Sequence, residues 1–352
     1  MTVVDAEARR ASVADSVRRA RISRGRRRAA VIGLLIVALA SIFAASLMIG
    51  ERFYGPADVI RVILGEQVPG ASFAVGELRL PRAVLAIVAG LCFGLGGVTF
   101  QTMLRNPLAS PDIIGISAGA SAAAAVAIVI VGLSGLALST AAIAGGLAIA
   151  LVVYALAYRS GVSGTRLILI GIGVAAMLDS VTSFVLDGAG QWDLQDAMRW
   201  LTGSLNGASW NSIVAAAGAL VVFGPVLLLL SSSLSALQLG DDTAAAIGTS
   251  VDRTRLLALI ASVGLISFAT AATGPIAFVA FLAGPIAARL TGPHGSALVP
   301  AALTGAALVA LADFCGQFAF GVRYPVGVIT GVLGAPFLLY LIVRTNRTGG
   351  SL

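Results

Sequence analysis

The sequence predicts an all-α fold, a polytopic membrane bundle of about ten helices. Three observations lead there. Of 352 residues, 58% are hydrophobic and 11% charged, less than half the charged share of ordinary soluble domains. Apolar runs long enough to cross a bilayer recur from one end of the chain to the other. The few charged residues fall mostly in the gaps between them.

Taken in order, residues 1–28 hold nine arginines and three acids. Beside a first apolar run, such a block reads as a cytoplasmic anchor rather than a nucleic-acid arm, and it is expected to be disordered. The run that follows is uncharged from Ala29 to Gly50. Despite the cleavage-like Ala38-Leu39-Ala40, it is too long for a typical signal-peptide core and reads as an uncleaved first helix. Further apolar segments fall at 82–104, 113–133, 136–158, 167–186, 211–231, 255–273, 275–288, 297–318 and 325–343. A span needs about 20 apolar residues, so the eighth, between Pro275 and Arg289, is expected to be tilted, partly buried or broken. The long connection from Glu51 to Glu77 is expected to carry a short interfacial helix near Pro56–Leu64. The transmembrane domain is taken as 29–345, with a tail at 346–352. Ten spans return both termini to one side. The basic first segment makes that side cytoplasmic, because elsewhere the arginine bias is only eight to six.

Composition excludes several activities. All 23 basic residues are arginine. A P-loop needs a lysine on the nucleotide phosphates, and Schiff-base chemistry needs a lysine amine. The chain therefore reads as no enzyme, and any ATP that drives it belongs to another subunit. His294, Cys92 and Cys315 stand isolated and suggest no metal site. Gly94, Gly96, Gly97, Gly171 and Gly173 suit close helix–helix contact in lipid. Asp179 and Asp313 fall inside predicted spans, where acids are costly and default to functional candidates.

Residues 101–120 are the most informative stretch. Gln101, Arg105, Asn106, Pro107, Pro111, Asp112 and Gly115 interrupt apolar sequence, and irregular backbone at membrane depth is tolerated only inside protein or beside water. Other pieces stand around it: Arg79-Leu80-Pro81-Arg82, Arg166–Leu169 with Gly171, Trp200–Leu205, Leu239–Asp242 with Ala244, Ile247 and Gly248, Gly274–Val279, Ala312-Asp313, Pro325–Thr330, and Gly334-Ala335-Pro336. In this order and spacing they resemble the FecCD family, the permeases of ABC importers for iron-siderophores, haem and cobalamin. The resemblance covers nearly all the chain after about Ala30.

That resemblance implies a type II importer permease fold and the role of one permease subunit carrying ferric siderophore across the bacterial inner membrane. Phe281–Pro285, standing where many relatives carry a Pro-His pair, points to the catecholate type. Cobalamin or haem is the alternative cargo. A proton-coupled secondary transporter, relaying through Asp179 and Asp313, is the alternative of another class. The implied partners are a second permease subunit (identical or paralogous), two ABC ATPases that bind ATP and Mg, an extracytoplasmic siderophore-binding lipoprotein or periplasmic protein, and membrane lipid. No cofactor is implied for this chain.

The resemblance also distributes roles. Leu239, Gly240, Asp241, Asp242, Ala244, Ile247 and Gly248 form the coupling helix for the ATPase. Taken alone, these residues read sooner as a solvated loop with ordinary caps, since capping signals are common, than as a short helix begun by the acids. Arg79 and Arg82 receive carboxylates of the binding protein. Gln317 replaces the family's third arginine, and Arg323 stands in for it. Ser163, Gly164 and Thr165 line the inner gate. Asp179, on the pathway helix, either meets a cationic or hydroxylated part of the substrate or bonds a neighbouring helix. Gln101, Arg105, Asn106, Pro107, Gly115, Asp313, Pro325 and Gly327 are structural motif positions.

Overall fold

A computed structural model describes residues 3–112, 114–158, 164–292 and 295–347. The helices follow the apolar segments closely. They are α1 (Val3–Met48), α2 (Pro56–Ile63), α3 (Leu80–Met103), α4 (Ile116–Val129), α5 (Gly135–Ala157), α6 (Gly164–Asp187), α7 (Gln191–Leu201), α8 (Trp210–Leu229), α9 (Ser231–Leu237), α10 (Asp241–Ala246), α11 (Val251–Thr273), α12 (Val279–Thr291), α13 (Leu298–Phe318) and α14 (Val326–Arg347). Among the described residues, seven helices are long and apolar enough to span a membrane, and three shorter apolar helices complete the ten expected. The interfacial helix appears as α2, and a π-helical segment, Ser72–Arg79, leads directly into α3. Ser163 and His294 lie outside the described residues.

One expectation needs correction. Residues 3–28 are helical and continuous with the first span. Alanine, arginine and glutamate there are strong helix formers, and the span beyond them supplies a ready-made nucleus for propagation. Arg27 anchors the base of this helix. Its Nε donates to the Leu290 carbonyl at 3.1 Å and its Nη2 to the Arg289 carbonyl at 3.3 Å. These are terminal carbonyls of α12, where a cation is favoured by the helix dipole.

The bundle is built around α3, α11 and α13, which are buried over 78, 72 and 61% of their apolar windows. Close approach explains the glycines. A methyl on Gly90 would lie 2.5 Å from the Ala306 Cα, and one on Gly94 would strike the Ala301 carbonyl, so only glycine lets α3 cross α13 here. Gly97 meets the Ala280 carbonyl of α12 in the same way, and Gly96 meets Ile266 of α11. Gly173 differs: among the described residues, nothing comes within 4 Å of where its Cβ would stand.

The eighth span is short and buried. Its thirteen residues begin only after Phe278, which takes a left-handed φ of 65°. The non-helical turn before it is enclosed by motif pieces from elsewhere. Ser204 N–H donates to the Thr273 carbonyl at 2.7 Å, and Gly327 N–H to the Gly203 carbonyl at 3.1 Å. Backbone that leaves the helix is thus satisfied by protein, as membrane depth demands.

Candidate functional site

Two polar clusters form at opposite ends of the bundle. The first surrounds α10. Gly240, at φ 106°, turns the chain into this six-residue helix, and Gly248, at φ 89°, turns it out. Neither Asp241 nor Asp242 precedes the helix as a cap. Both lie within its first turn, and the residue before them is Gly240, with no side-chain cap. Asp241 instead accepts from Arg105 Nη2 at 3.1 Å and from Arg255 Nη2 at 2.8 Å. Ala244 is buried against the bundle. Leu239 and Ile247 stand 64 and 62% exposed at either end of α10. Large apolar side chains flanking a small polar helix make a surface that a partner can cover.

The loop leading from α3 is fixed by its own polar groups. Gln101 is buried, and its Nε2 donates to the Phe281 carbonyl of α12 at 2.9 Å. Asn106 Oδ1 accepts from Leu108 N–H at 2.8 Å, an Asx-type turn. Asp112 accepts from Ser110 and Ser117 hydroxyls. Pro107 is exposed. Gly115, at φ 87°, packs beside Gly171 and Ala175 of α6. Gly164 opens α6 and, with Leu104, Leu167, Tyr154 and Arg255, lines a narrow crevice. Thr165 beside it is exposed. Of the expected gate turn, Gly164 and Thr165 are therefore located, at the same end as α10.

At the opposite end, Arg79, Arg82, Arg323, Asp313 and Gln317 line one cavity of about 460 Å³ with Glu51, Tyr54 and Asn206. The three arginines expected to dock a binding protein thus share one cavity, but two of them are not in the expected state. Arg82 Nε and Nη2 donate to the Asp313 carboxylate at 2.9 and 2.8 Å, the side chains being 18 and 8% exposed. Asn206 takes a third bond from Arg82, and Gln317 Nε2 donates to Asp313 at 2.9 Å. Arg79 donates to the carbonyls of Leu47 and Arg52, each at 2.9 Å, and lies over the Tyr54 ring. Both guanidiniums are thus occupied inside the chain rather than presented to an incoming carboxylate. The reason is local: Asp313 and the chain end of α1 lie within reach. Arg323 is the exposed one, paired with Glu51 at 2.7 Å.

Pro325 and Gly327 act in packing. Pro325 O accepts from Val328 N–H at the start of α14, and a methyl on Gly327 would strike the Thr202 carbonyl. Asp179 is exposed on α6, a helix with only 11% of its apolar window buried in this chain. Sequence reasoning gave no role to Arg255, Asn206, Glu51 or Tyr54. Only Arg255 left a trace, as a cation at a span end near an acidic connection.

Comparison with known proteins follows this geometry. The pattern of the FecCD transport family matches residues 34–344. The achromobactin transport system permease protein CbrC of Dickeya dadantii is 40% identical over 321 residues, 90% of this chain and 92% of that one. The ferric enterobactin transport system permease protein FepG of Escherichia coli is 38% identical over 291 residues, covering 82 and 88%. A solved inward-facing structure of a metal-chelate type ABC transporter superposes with a TM-score of 0.78 at 26% identity, covering 90% of this chain and 99% of that one.

Proposed function

The chain belongs to the FecCD transport family, and from that premise we propose that it is the permease through which an ABC importer carries ferric siderophore inward. The observation that carries this reading is the family match over residues 34–344, joined to the siderophores named for relatives that align along most of their length. The chain is a multi-pass membrane protein of the transport class, and an importer of this class works with ATPase and substrate-binding partners.

Finer assignments are our own reading. The α10 end is cytoplasmic, because the arginines of α1 gather there, and both termini lie on that side. A second permease subunit, identical or paralogous, faces α6. The support is Asp179: a carboxylate turned to lipid is costly, so an aqueous pathway or another subunit covers it. Gly164 and Thr165 begin α6 at the inner gate. Leu239 and Ile247 frame α10 for a groove in the ATPase, which supplies ATP and Mg. The opposite cavity receives the binding protein, with Arg323 as the arginine free enough to exchange partners. Its bond to Glu51 is between exposed groups and is worth little. A proton relay through Asp179 and Asp313 is the weaker reading, since Asp313 already neutralises Arg82.

The test is uptake in proteoliposomes holding the chain, its ATPase and its binding protein. The probes are radiolabelled ferric enterobactin, ferric achromobactin, ferric dicitrate and cobalamin. ATP-dependent uptake of a siderophore chelate is the expected result. Uptake needing only a proton gradient would reject it, and uptake of cobalamin in place of any iron chelate would move the cargo within the family.

A further inference from the structure

Asp241 joins three parts of the chain that are far apart in sequence. It is the first residue of α10. Its Oδ1 accepts from Arg105, which follows the inner end of α3, and from Arg255, in the first turns of α11. The geometry around it is specialised. Arg105 adopts a φ of 52°, a left-handed conformation uncommon for residues with a Cβ. Gly240 turns the chain so that Asp241 arrives beside it, with the Arg105 guanidinium 3.7 Å from where a Gly240 Cβ would stand. The Arg255 side chain is only 12% exposed, against 40% for Asp241. Arg255 also lines the crevice shared with Gly164 and Leu104. The node therefore holds α10 on one side and borders the crevice at the start of α6 on the other.

We propose that Asp241 is a positioning residue for energy coupling: by holding Arg105 and Arg255 at once, it locks α10 to the inner ends of α3 and α11, so that a displacement of α10 is passed to the crevice where α6 begins at Gly164. This rests on the permease reading. The charge arithmetic favours a lock over a passive contact. One carboxylate between two guanidiniums draws both toward α10, and without it two like charges face each other across the same gap. Partner movement then bends the α10 connection and leaves the gate where it is. The lock continues along α3, about 36 Å long at 1.5 Å per residue, to the Arg82–Asp313 pair at the outer cavity.

The experiment measures ATP hydrolysed per ferric chelate imported, with the three chelates above, in the reconstituted complex of full-length permease, ATPase and binding protein. Asp241→Asn is expected to cut import about tenfold while ATP hydrolysis stays within about twofold, a shift inside the ordinary range of coupling energies. Asp241→Glu, which keeps the charge, is expected to recover most of the import; a purely structural loss would not be rescued this way while hydrolysis held steady. Arg105→Gln, which leaves the Arg255 contact intact, is expected to show an intermediate ratio and serves if Asp241→Asn does not assemble. A wild-type ratio in Asp241→Asn, or in Arg105→Gln where that variant is the one read, overturns the node and leaves the permease reading standing. A wild-type complex that imports none of the three chelates with ATP removes that reading, and the node with it.

Discussion

Asparagine at position 313 is the most demanding perturbation of the outer cavity. The Asp313 carboxylate accepts bonds from Arg82 Nε and Nη2 and from Gln317 Nε2, all at 2.8–3.2 Å. Its side chain is 8% exposed and that of Arg82 18%. Removing one partner of a buried ion pair costs about 3–5 kcal/mol, because the other charge is left uncompensated. Asparagine keeps one acceptor oxygen and Arg82 keeps Asn206, so the lower end, about 3 kcal/mol, is expected on that scale. At roughly 2–4 °C per kcal/mol, this lowers the melting temperature by about 6–12 °C. The assay is thermal unfolding in detergent, followed by a thiol-reactive dye on Cys92, which is buried in the folded chain. The double change Arg82→Gln with Asp313→Asn removes both charges and is expected to recover most of the loss. A single variant that melts with wild type, or a double variant no better than the worse single, would refute the argument that the pair is a neutralised structural unit.

Four further outcomes follow from the same geometry. Gly94→Leu drives a side chain into the Ala301 carbonyl where α3 crosses α13; overpacking of about 1–3 kcal/mol or more should appear as lost expression in the membrane fraction. Gly173→Ala meets open space within this chain and is expected within about 0.5 kcal/mol of wild type; a large defect there, measured by crosslinking and melting, would reveal a partner against α6. Asp179→Asn should leave melting unchanged and lower chelate uptake, and a variant with normal uptake would remove Asp179 from the pathway. Arg323→Gln breaks an exposed pair with Glu51, so stability should shift by no more than about 1 kcal/mol. Affinity for the binding protein, read by surface plasmon resonance, should nonetheless fall severalfold, and an unchanged affinity would exclude Arg323 from docking.

The architecture was legible because lipid makes local sequence informative. Each expected apolar segment has its helix, down to the short eighth and the interfacial α2. Apart from the start of α1, bounds slipped by only a few residues, and α10 begins at the aspartate that suggested it. What stayed hidden is long-range. Arg105 reaches Asp241 across 136 positions and Arg82 reaches Asp313 across 231; no periodicity encodes either pairing. Arg79 and Arg82 looked like outward-facing receptors for carboxylates because a single sequence shows charge but not its compensation. The N-terminal block misled in the opposite way. Its charge suggested disorder, but its residues favour helix and it continues a helix already formed. The mostly polar helix α7 and the π-helical lead into α3 are not long apolar runs, so a reading by spans passed over them.

The separation of Arg82 from Asp313 also bears on how the chain is made. Ribosomes deliver about 5–20 residues per second, so Arg82 emerges roughly 10–50 s before its carboxylate. Through that interval α3 enters the membrane with a buried-to-be guanidinium still unneutralised. The close crossing of α3 at Gly90 and Gly94 waits for the same helix, α13. The centre of the bundle is therefore among the last parts to close, and nascent chains cut short before α13 carry an exposed cationic helix for membrane quality control to find.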